Sequence, residues 1–293
     1  MCVCTYKRPV YLNNLLNSLI SLSTDNTFSY SIVIVDNDYE LSGKDVVNNF
    51  TGISNIMIEY YTEPERNISL ARNKAVLKSN GNILAFIDDD EIATKNWLLL
   101  LYKTYKAHNI SGVLGPVKPF FDKTPPKWII KSQICERESF VTGSVLNSSK
   151  YTRTGNALLS KNIFDQYENY FNPKLGLTGG EDTYFFKNLI EKGHIFIWCD
   201  EAIVYELIPS SRLSRAYFIK RSLLRGKVNS QYTSAYSINT LKSIVAIFIY
   251  TISFPFLALA GHHIFMKYFL RACDHLGKIL SFIGINLVKE KEV

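Results

Sequence analysis

The sequence predicts an α/β protein with a central sheet, followed by apolar helices, and three observations support this prediction. Residues 1–90 alternate short apolar runs with segments of helical periodicity, which is typical of βαβ units. The apolar runs are continuous rather than alternating, as expected of strands that are covered on both faces. Residues 243–260 carry no charge and differ in kind from the rest of the chain. We therefore expect one α/β domain and a helical tail.

The predicted elements of the α/β domain follow one another with short connections. A first strand begins at Cys2, and a helix follows Pro9 because leucines recur at helical spacing from Leu12 to Leu22. The same patterns then predict a strand at 31–35, a helix from 44, a strand at 56–60, a helix at 69–78 and a strand at 83–87. Residues 111–205 contain shorter elements between loops marked by prolines, and we interpret them as the second half of this domain.

The composition describes a folded chain in a reducing compartment. Of the 293 residues, 47% are hydrophobic and 20% are charged, which supplies a core and gives no sign of disorder. The five cysteines are odd in number and include no C-x-x-C pair, so neither a disulfide framework nor a structural zinc site is expected. Residues 1–30 lack the layout of a secretory signal. A cytosolic location fits these observations best.

The positive charges are concentrated beside the apolar tail. The formal net charge is +7, and the segment from Arg212 to Lys227 contains six cations and no acid. A basic segment next to an apolar one is typical of a membrane surface. No motif for DNA or RNA binding occurs, so nucleic acid is not an expected partner. We expect a catalytic domain over residues 1–230 and a membrane-association tail over residues 231–293.

The tail contains two kinds of helical pattern. Residues 243–260 are barely long enough to cross a bilayer. Farther along, charges recur at intervals of 4, 3 and 4 over residues 267–278, and apolar residues between 265 and 283 fill the opposite face. This second pattern predicts an amphipathic helix that lies in the membrane interface. A buried helical hairpin of a soluble protein is the alternative for both segments.

Three predicted strands end in polar or charged residues. The first ends at Thr5, with Arg8 close behind it, and the second ends at Asp36. The third runs directly into a row of four acids: Asp88, Asp89, Asp90 and Glu91. In open α/β sheets, ligands bind outside the carboxyl ends of the strands. We therefore expect these side chains to meet at one rim of the sheet.

Neighbouring acids need a positive partner. Two carboxylates about 4 Å apart repel by about 4 kcal/mol at the effective dielectric constant of a protein surface. Carboxylate oxygens suit Mg²⁺ or Mn²⁺, which we place at Asp90 with help from Asp88 or Asp89. Such a metal would neutralise a diphosphate group as it leaves. A solvated acidic loop is the alternative for this run taken alone.

Other charged residues suit the two substrates of a group transfer. Arg8 and Arg72 carry guanidinium groups that can bind phosphate oxygens, and Asp36 is positioned to accept a hydrogen bond from a base or a ribose. Glu181 and Asp182 follow two glycines in the first turn of a predicted helix, where a carboxylate can take the proton of an acceptor hydroxyl. Acids at such a position also stabilise the helix dipole, which is the alternative.

Other nucleotide-binding templates are absent, since neither G-x-G-x-x-G nor G-x-x-x-x-G-K-[ST] occurs. A phosphatase with Asp88 as its nucleophile stays open. That hypothesis leaves Arg8, Asp36 and the Glu181–Asp182 pair without a role.

Taken together, the motifs resemble those of family 2 glycosyltransferases. They are CTYKRP from Cys4, VDND from Val35, NISLARN from Asn67, FIDDDE from Phe86 and GGED from Gly179. A closer resemblance, to the ExoM-type glucosyltransferases of succinoglycan assembly, lies in VLGPV from Val113, TGNALL from Thr154 and ELIPSSR from Glu206. The matches cover residues 2–228, and they are specific jointly rather than singly.

The resemblance implies a GT-A fold, in which a Rossmann-like mixed sheet is flanked by helices, and it implies a nucleotide-sugar donor with Mn²⁺ or Mg²⁺. Six residues would bind the nucleotide sugar: Thr5, Arg8, Asp36, Arg72, Asp88 and Asp89. Among them, Asp36 would meet the base and Arg72 the diphosphate. Asp90, together with Asp88, would hold the metal.

The resemblance also implies an acceptor side. Asp182 would be the catalytic base, with Glu181 beside it, and the anomeric centre would be inverted in one displacement. Many relatives have a histidine where Tyr205 stands. We therefore expect Glu206 or Arg212 to supply the support for the metal or the diphosphate that this histidine would give.

The expected function is that of a metal-dependent inverting hexosyltransferase of bacterial surface polysaccharide synthesis. It would move a hexose from a UDP-sugar to a lipid-linked or saccharide acceptor. We expect it at the cytoplasmic face of the inner membrane, attached peripherally, monotopically or by a single C-terminal span. A non-catalytic sugar- or lipid-binding component of a polysaccharide assembly is the alternative.

Overall fold

The computed structural model describes residues 1–53, 55–165, 170–231, 233–285 and 287–288. The strands are β1 (Cys2–Thr5), β2 (Ile32–Asp36), β3 (Ile58–Thr62), β4 (Ile83–Ile87), β5 (Glu91–Ala93), β6 (Gly112–Leu114), β7 (Val117–Phe121), β8 (Asn156–Ser160), β9 (Phe196–Trp198) and β10 (Val204–Ile208). The helices are α1 (Pro9–Leu19), α2 (Lys44–Phe50), α3 (Ile68–Lys78), α4 (Trp97–Ala107), α5 (Lys127–Ser132), α6 (Glu181–Glu191), α7 (Arg215–Ser230), α8 (Ile238–Ala260) and α9 (His262–Phe282).

The contacts between residues divide the chain into two units. The first comprises Met1–Phe120 and Arg137–Leu207, and the second comprises Phe121–Glu136 and Ile208–Val293. The expected boundary between residues 230 and 231 stays a prediction. Residues 232, 286 and 289–293 of the expected tail lie outside the described residues.

Within the described residues, the first unit is built on a seven-stranded mixed sheet with the order β3-β2-β1-β4-β8-β6-β9. β1 pairs in parallel with β2 and β4, whereas β8 runs antiparallel to both of its neighbours, β4 and β6. Every residue of β2 is buried, as the continuous apolar run predicts for a strand covered on both faces. The predicted α/β fold with a mixed sheet is thereby confirmed.

Two apolar layers cover the two faces of this sheet. Alternate residues of a strand point to opposite faces, so Ile34 joins one layer and Val35 the other. In the first layer, α1 contributes four fully buried leucines at helical spacing: Leu12, Leu15, Leu16 and Leu19. In the second layer, α3 contributes Ala71 and α6 contributes Phe186. Burying one leucine side chain contributes about 1.5–3 kcal/mol, so α1 is firmly attached to the sheet.

A smaller sheet, with the order β5-β10-β7, holds the acidic segment, residues 88–91, which follows β4. Glu206 pairs with Glu91 in the antiparallel ladder between β10 and β5. The backbone N–H of Leu207 donates to the carbonyl oxygen of Asp90 at 2.7 Å. The backbone around the acids is therefore held from two sides, by β4 and by β10.

The second unit contains α5, α7, α8 and α9, and α7 packs closely against α9. A Cβ atom on Gly226 would lie 2.0 Å from the carbonyl oxygen of Asp274, and one on Gly277 would lie 2.2 Å from that of Leu223. Arg225 forms a two-armed ion pair with Asp274, with N–O distances of 2.9 and 2.8 Å. The two glycines let the helix backbones touch, and the ion pair fixes their register.

α8 packs against α9 by one face only. Phe254 contacts Phe265 and Phe269, with ring centroids 5.4 and 5.9 Å apart. Phe265 and Phe269 are half-buried beside α8, and the prediction that α9 lies in the membrane interface stays a prediction. By length and composition, α8 is the one helix of the described chain that is suited to cross a membrane, and 6% of its most apolar window is buried.

Several element boundaries differ from the predicted ones by one or two residues. The strand predicted at 31–35 is observed at Ile32–Asp36, and the strand predicted at 56–60 is observed at Ile58–Thr62. Asp36 is therefore the last residue of its strand rather than the first residue after it. Leu22 lies beyond the end of α1 but is still buried, because it packs against the first apolar layer.

Candidate active site

The carboxyl ends of β1, β2 and β4 bring predicted site residues to one rim of the sheet. Thr5, the last residue of β1, is directly opposite Asp36, the last residue of β2. The acidic segment follows β4, the other neighbour of β1. Parallel pairing is the reason that residues so far apart in the chain meet at one rim.

Arg8 joins the end of β1 to the acids after β4. Its Nη1 donates to Oδ1 of Asp89 at 2.9 Å and to Oδ2 of Asp90 at 3.1 Å. Thr5 Oγ1 donates to the other oxygen of Asp89 at 2.8 Å. Asp89 is buried, so these bonds replace the water that its carboxylate has lost. The Arg8 side chain is still 37% exposed, which leaves it accessible to a ligand.

Burial and mutual repulsion perturb the acids of this segment. Burial, followed by the charges of Asp88 and Asp89, raises the pKa of Asp90 to about 6, although Arg8 opposes the change. Burial also raises the pKa of Asp89. The Asp88 side chain is 45% exposed and opens toward solvent. A carboxyl group with a raised pKa gains strongly from a nearby cation.

Glu91, the buried last residue of the acidic segment, fixes the backbone of Asp88. Its Oε2 accepts a hydrogen bond from the backbone N–H of Asp88 at 3.0 Å. Burial, with the charge of Asp88 adding to it, raises the pKa of Glu91 well above its ordinary value. A Cβ atom on Gly155 would lie 2.6 Å from Oε1 of Glu91 and 2.9 Å from Oδ2 of Asp88. A side chain at position 155, just before β8, would therefore displace the carboxylates of Glu91 and Asp88.

Arg72 connects the acidic segment to α6. Its buried guanidinium donates to Oδ1 of Asp88 at 3.2 Å and forms a second, short bond to Glu181. Burial opposes the charge of Arg72, but Glu181 and Asp88 outweigh it and raise the pKa of the guanidinium. Burial raises the pKa of Glu181, against the attraction of Arg72. Both arms of Arg72 are thus engaged within the protein, and its contact with a diphosphate stays a prediction.

Asp182 follows Glu181 in the first turn of α6. Gly179 and Gly180 have φ angles of 84° and 89°, a left-handed conformation that favours glycine, and they lead the chain into this helix. Asp182 is half-buried, and its Oδ1 accepts a hydrogen bond from the backbone N–H of Thr183 at 2.6 Å. The charge of Asp182 also contributes to the raised pKa of Arg72. Asp182 therefore belongs electrostatically to the network that reaches Asp88.

Two acids at the end of β2 differ in the hydrogen bonds that their carboxylate oxygens accept. Asp36 is fully buried and accepts three hydrogen bonds, from Tyr60 Oη at 2.8 Å and from the backbone N–H groups of Gly43 at 2.7 Å and Asp38 at 3.1 Å. Asp38 is also buried, but its Oδ2 has no hydrogen-bond partner among the described residues. Asp38 thus has one buried carboxylate oxygen whose hydrogen-bonding capacity the described residues leave unused.

Asn37, between these acids, holds the start of α3. Its Oδ1 accepts a hydrogen bond from the backbone N–H of Asn67 at 2.8 Å, and Asn67 in turn caps α3 with its own side chain. The amide nitrogen of Asn37 donates to the carbonyl oxygens of Glu63 and Glu65 at 2.9 and 2.5 Å. The helix that carries Arg72 is therefore fixed relative to the end of β2.

The two residues expected to supply further support lie in different units. Glu206 of β10 pairs with Arg137, and its charge contributes to the raised pKa of Asp90. Arg212 lies in a short 3-10 turn of the second unit. A role for either residue at a metal or a diphosphate stays a prediction.

The acidic segment offers few side chains of its own to a divalent metal. Among the described residues, no group of three or more His, Cys, Asp or Glu side chains forms a metal cluster. Mg²⁺ usually binds through one or two carboxylates and takes its other ligands from substrate phosphates and water. Two such carboxylates are present: Asp88, whose side chain is partly exposed, and Asp90, whose pKa is raised by burial and by the neighbouring acids. The residues present therefore fit a hard cation that arrives with a diphosphate.

Four residues of this region have no role in the prediction from sequence: Asp38, Glu91, Gly155 and Arg137. The first three lie within the motifs VDND, FIDDDE and TGNALL, so their position was a usable signal. Arg137 lies in none of the motifs, and its partner Glu206 is 69 residues away in the chain. Its contact is visible only in the folded chain.

Comparison with known proteins gives consistent matches in sequence. The family model described as "Glycosyl transferase family 2" matches residues 1–171. The succinoglycan biosynthesis protein ExoM of Rhizobium meliloti is 30% identical over 297 residues, which cover 98% of this chain and 94% of that protein. The predicted resemblance is thereby confirmed.

Solved structures share the fold at low sequence identity. S. aureus TarS 1-349 in complex with UDP has a TM-score of 0.53 at 17% identity, and the match covers 96% of this chain and 88% of that one. The mannosyltransferase PcManGT from Pyrobaculum calidifontis in complex with GDP-Man and Mn2+ has a TM-score of 0.63 at 14% identity, covering 96% and 85%. These likenesses confirm the predicted GT-A fold.

Proposed function

Since the chain belongs to glycosyl transferase family 2, we propose that it transfers a hexose from a UDP-sugar to a lipid-linked or saccharide acceptor, with inversion at the anomeric carbon. The observation that carries this proposal is the charged network from the strand ends to α6. Arg8 binds Asp89 and Asp90, and Arg72 binds Asp88 and Glu181. A donor-binding rim and a helix with a candidate base are thus joined in one unit.

On the donor side, the chain's own residues would bind and orient the nucleotide diphosphate. Asp88 and Asp90 would hold Mn²⁺ or Mg²⁺, which supplies positive charge to the leaving diphosphate. Arg8, partly exposed beside Asp90, adds a guanidinium for phosphate oxygens. Asp38, or Asp36 after rearrangement of its three bonds, would accept a hydrogen bond from the base or ribose. TarS bound to UDP and PcManGT bound to GDP-Man and Mn2+ give precedents for such donors on this fold.

On the acceptor side, Asp182 would act as the general base. As the acceptor oxygen forms its bond to the anomeric carbon, its proton passes to the carboxylate of Asp182, and the bond to the diphosphate breaks so that UDP leaves with the electron pair. Glu181, held by Arg72, fixes the first turn of α6 and hence the position of Asp182. The single displacement inverts the configuration of the sugar.

The role of Asp182 is tested by one substitution and its matched control. Asp182→Asn should lower UDP release from a UDP-hexose in the presence of acceptor by a factor of about 10²–10⁴, the usual contribution of a general base. Asp45→Asn changes an exposed acid in the first turn of α2 and should leave the rate unchanged. Equal rates for the Asp182 variant and the wild type would refute the assignment. Donor binding without any turnover in the wild type would favour a non-catalytic sugar-binding role.

The metal is tested by binding rather than by turnover. UDP with Mn²⁺ should raise the melting temperature of the protein more than UDP alone, because a ligand that binds only the folded state stabilises it. EDTA should abolish the difference, and Asp90→Asn should greatly reduce it. A shift by UDP that is the same with Mn²⁺ and with EDTA would contradict the metal site. A panel of UDP-, GDP- and dTDP-sugars in the same assay should give a UDP-hexose as the largest shift.

Membrane attachment at the cytoplasmic face of a bacterial inner membrane completes the proposal. The apolar helix α8, the six cations between Arg212 and Lys227 and the likeness to a succinoglycan biosynthesis protein support it. An acceptor on a lipid carrier would be reached from that surface. The full-length protein should sediment with membranes and be released by detergent.

A further inference from the structure

We propose that α8 lies along one leaflet of an anionic lipid bilayer and does not cross it. The proposal rests on the membrane attachment proposed above and specifies its geometry. Length and composition alone permit a span, since α8 has 23 residues and a strongly apolar window. The packing of α8 within the second unit decides between the two arrangements.

The outward face of α8 is broad and apolar. Its exposed large hydrophobic residues are Ile238, Leu241, Ile244, Val245, Phe248, Ile249, Ile252, Phe256 and Leu259. They extend over the whole length of the helix, and several are more than 60% exposed. An exposed patch of this kind indicates an interaction site.

The inward face of α8 is fixed to α9 along the length of both helices. The ring of Tyr250 lies tilted against that of Tyr268 and stacks on that of His275, with centroid distances of 5.8 and 6.1 Å, and Phe254 packs on Phe265. The more buried positions of α8, such as Thr240 and Ser243, recur at coiled-coil spacing. α8 therefore cannot enter a bilayer without α9.

α9 cannot cross the hydrocarbon, because it is charged and is itself fixed to α7. It carries Lys267, the exposed Arg271 and the half-buried Asp274. Arg225 of α7 forms an ion pair with Asp274. The backbone contact at Gly226 binds α7 and α9 further. A spanning α8 would bring these charges into an environment that offers them no water. A helix lying in the plane of the interface buries its apolar face and leaves its partners outside.

Charge favours an anionic bilayer over a second copy of the chain as the occupant of the exposed face. Basic residues of the second unit include Arg215 and Arg221 on α7 and Lys242 on α8 itself, all of them exposed. Anionic lipid head groups attract such cations. A second copy would instead bring the same positive charges together.

The docking face is tested by binding to anionic vesicles of phosphatidylglycerol and phosphatidylcholine in a flotation assay. Leu241→Asp and Leu259→Asp, at the two ends of α8, should each lower the fraction of full-length protein that floats, with an apparent affinity about tenfold weaker. Leu77→Asp is the matched control, since Leu77 is 73% exposed on α3 of the first unit, and it should bind as the wild type does. Equal loss in all three variants, or a soluble dimer that does not float, would overturn the proposal.

The arrangement on one leaflet is tested by side-specific labelling in sealed inside-out vesicles. Tyr236→Cys precedes α8 at a fully exposed position, and His262→Cys follows α8 at an exposed one. A membrane-impermeant maleimide should modify both positions without permeabilisation, and wild-type protein gives the background of its buried and half-buried cysteines. Modification of His262→Cys only after permeabilisation would show a span and overturn the proposal. A protein that does not bind membranes at all would refute attachment itself, while sugar transfer in solution would be unaffected.

Discussion

At the scale of single residues, Arg72 stands out because it spans two parts of the first unit. It is buried on α3, and its two partners, Asp88 and Glu181, lie 16 and 109 residues farther along the chain. Removing one member of a buried ion pair costs far more than the pair contributes, because the other charge is left without compensation. The stability of α6 in its place should therefore depend on this one guanidinium.

A double-mutant cycle tests this dependence. Arg72→Met should lower the free energy of unfolding by about 3–5 kcal/mol, since it leaves Glu181 buried without its partner. Adding Glu181→Gln should recover part of that loss, which would appear as a coupling energy in urea unfolding. Arg66→Met, at an exposed arginine just before α3, should change the free energy by less than about 1 kcal/mol. Additive effects of the two substitutions would contradict the predicted coupling.

The sequence predicted which residues meet at the rim better than it predicted how each one is used. The meeting of Thr5, Arg8 and the acids after β4 follows from the ends of parallel strands, and predicting it needs no long-range information. Asp36 and Asp38 have the same side chain two positions apart. They accept different hydrogen bonds because Tyr60 and Gly43 donate to Asp36, and these donors reach it only after β3 and the β2–α2 loop have packed.

At the scale of elements, the contact between α7 and α9 depends on two residues that weaken isolated helices. Glycine in a helix interior costs about 1 kcal/mol relative to alanine. Gly226 and Gly277 are nevertheless placed where a Cβ atom would strike the backbone of the other helix. Periodicity predicted α9 but neither α7 nor this crossing, because a pattern of apolar residues does not specify which two faces come together.

The sign of the change in stability caused by Gly226→Ala shows whether helix propensity or packing dominates at this contact. Gly226→Ala should stabilise the protein if helix propensity dominates, but the overlap of the new Cβ atom with the carbonyl oxygen of Asp274 should instead destabilise it by about 1–3 kcal/mol. Urea unfolding monitored by circular dichroism measures the difference. Thr251→Ala, at an exposed position of α8, reports the gain from propensity alone. A stabilised Gly226→Ala variant would contradict the close helix contact.

At the scale of the whole molecule, exposed apolar surface and positive charge are the two features that bear on the proposed membrane attachment. The net charge is +7, and the exposed apolar residues of α8 belong to the same unit as the exposed cations of α7. The sequence predicted a membrane-associated tail. It could not predict which helix stays exposed, since α8 and α9 both present apolar faces and only their mutual packing selects the one that α9 leaves uncovered.

Binding to anionic vesicles should therefore depend on salt without depending on it entirely. Raising the ionic strength from 0.1 M to 1 M shortens the screening length from about 10 Å to about 3 Å, which should weaken the binding measured by flotation. The apolar contribution should persist, so residual binding is expected at high salt. Binding that salt abolishes completely would show that α8 adds nothing, and binding that salt leaves unchanged would show the same of the cations.

Asn37 gives the rim a sensitivity to a change as small as one functional group. Aspartate has nearly the same shape as asparagine, but at this position its second oxygen would face the two backbone oxygens that now receive hydrogens from the amide. Repulsion would replace two attractions at the place where α3 is secured. Hydrolysis of this one amide to a carboxylate would therefore loosen the start of α3.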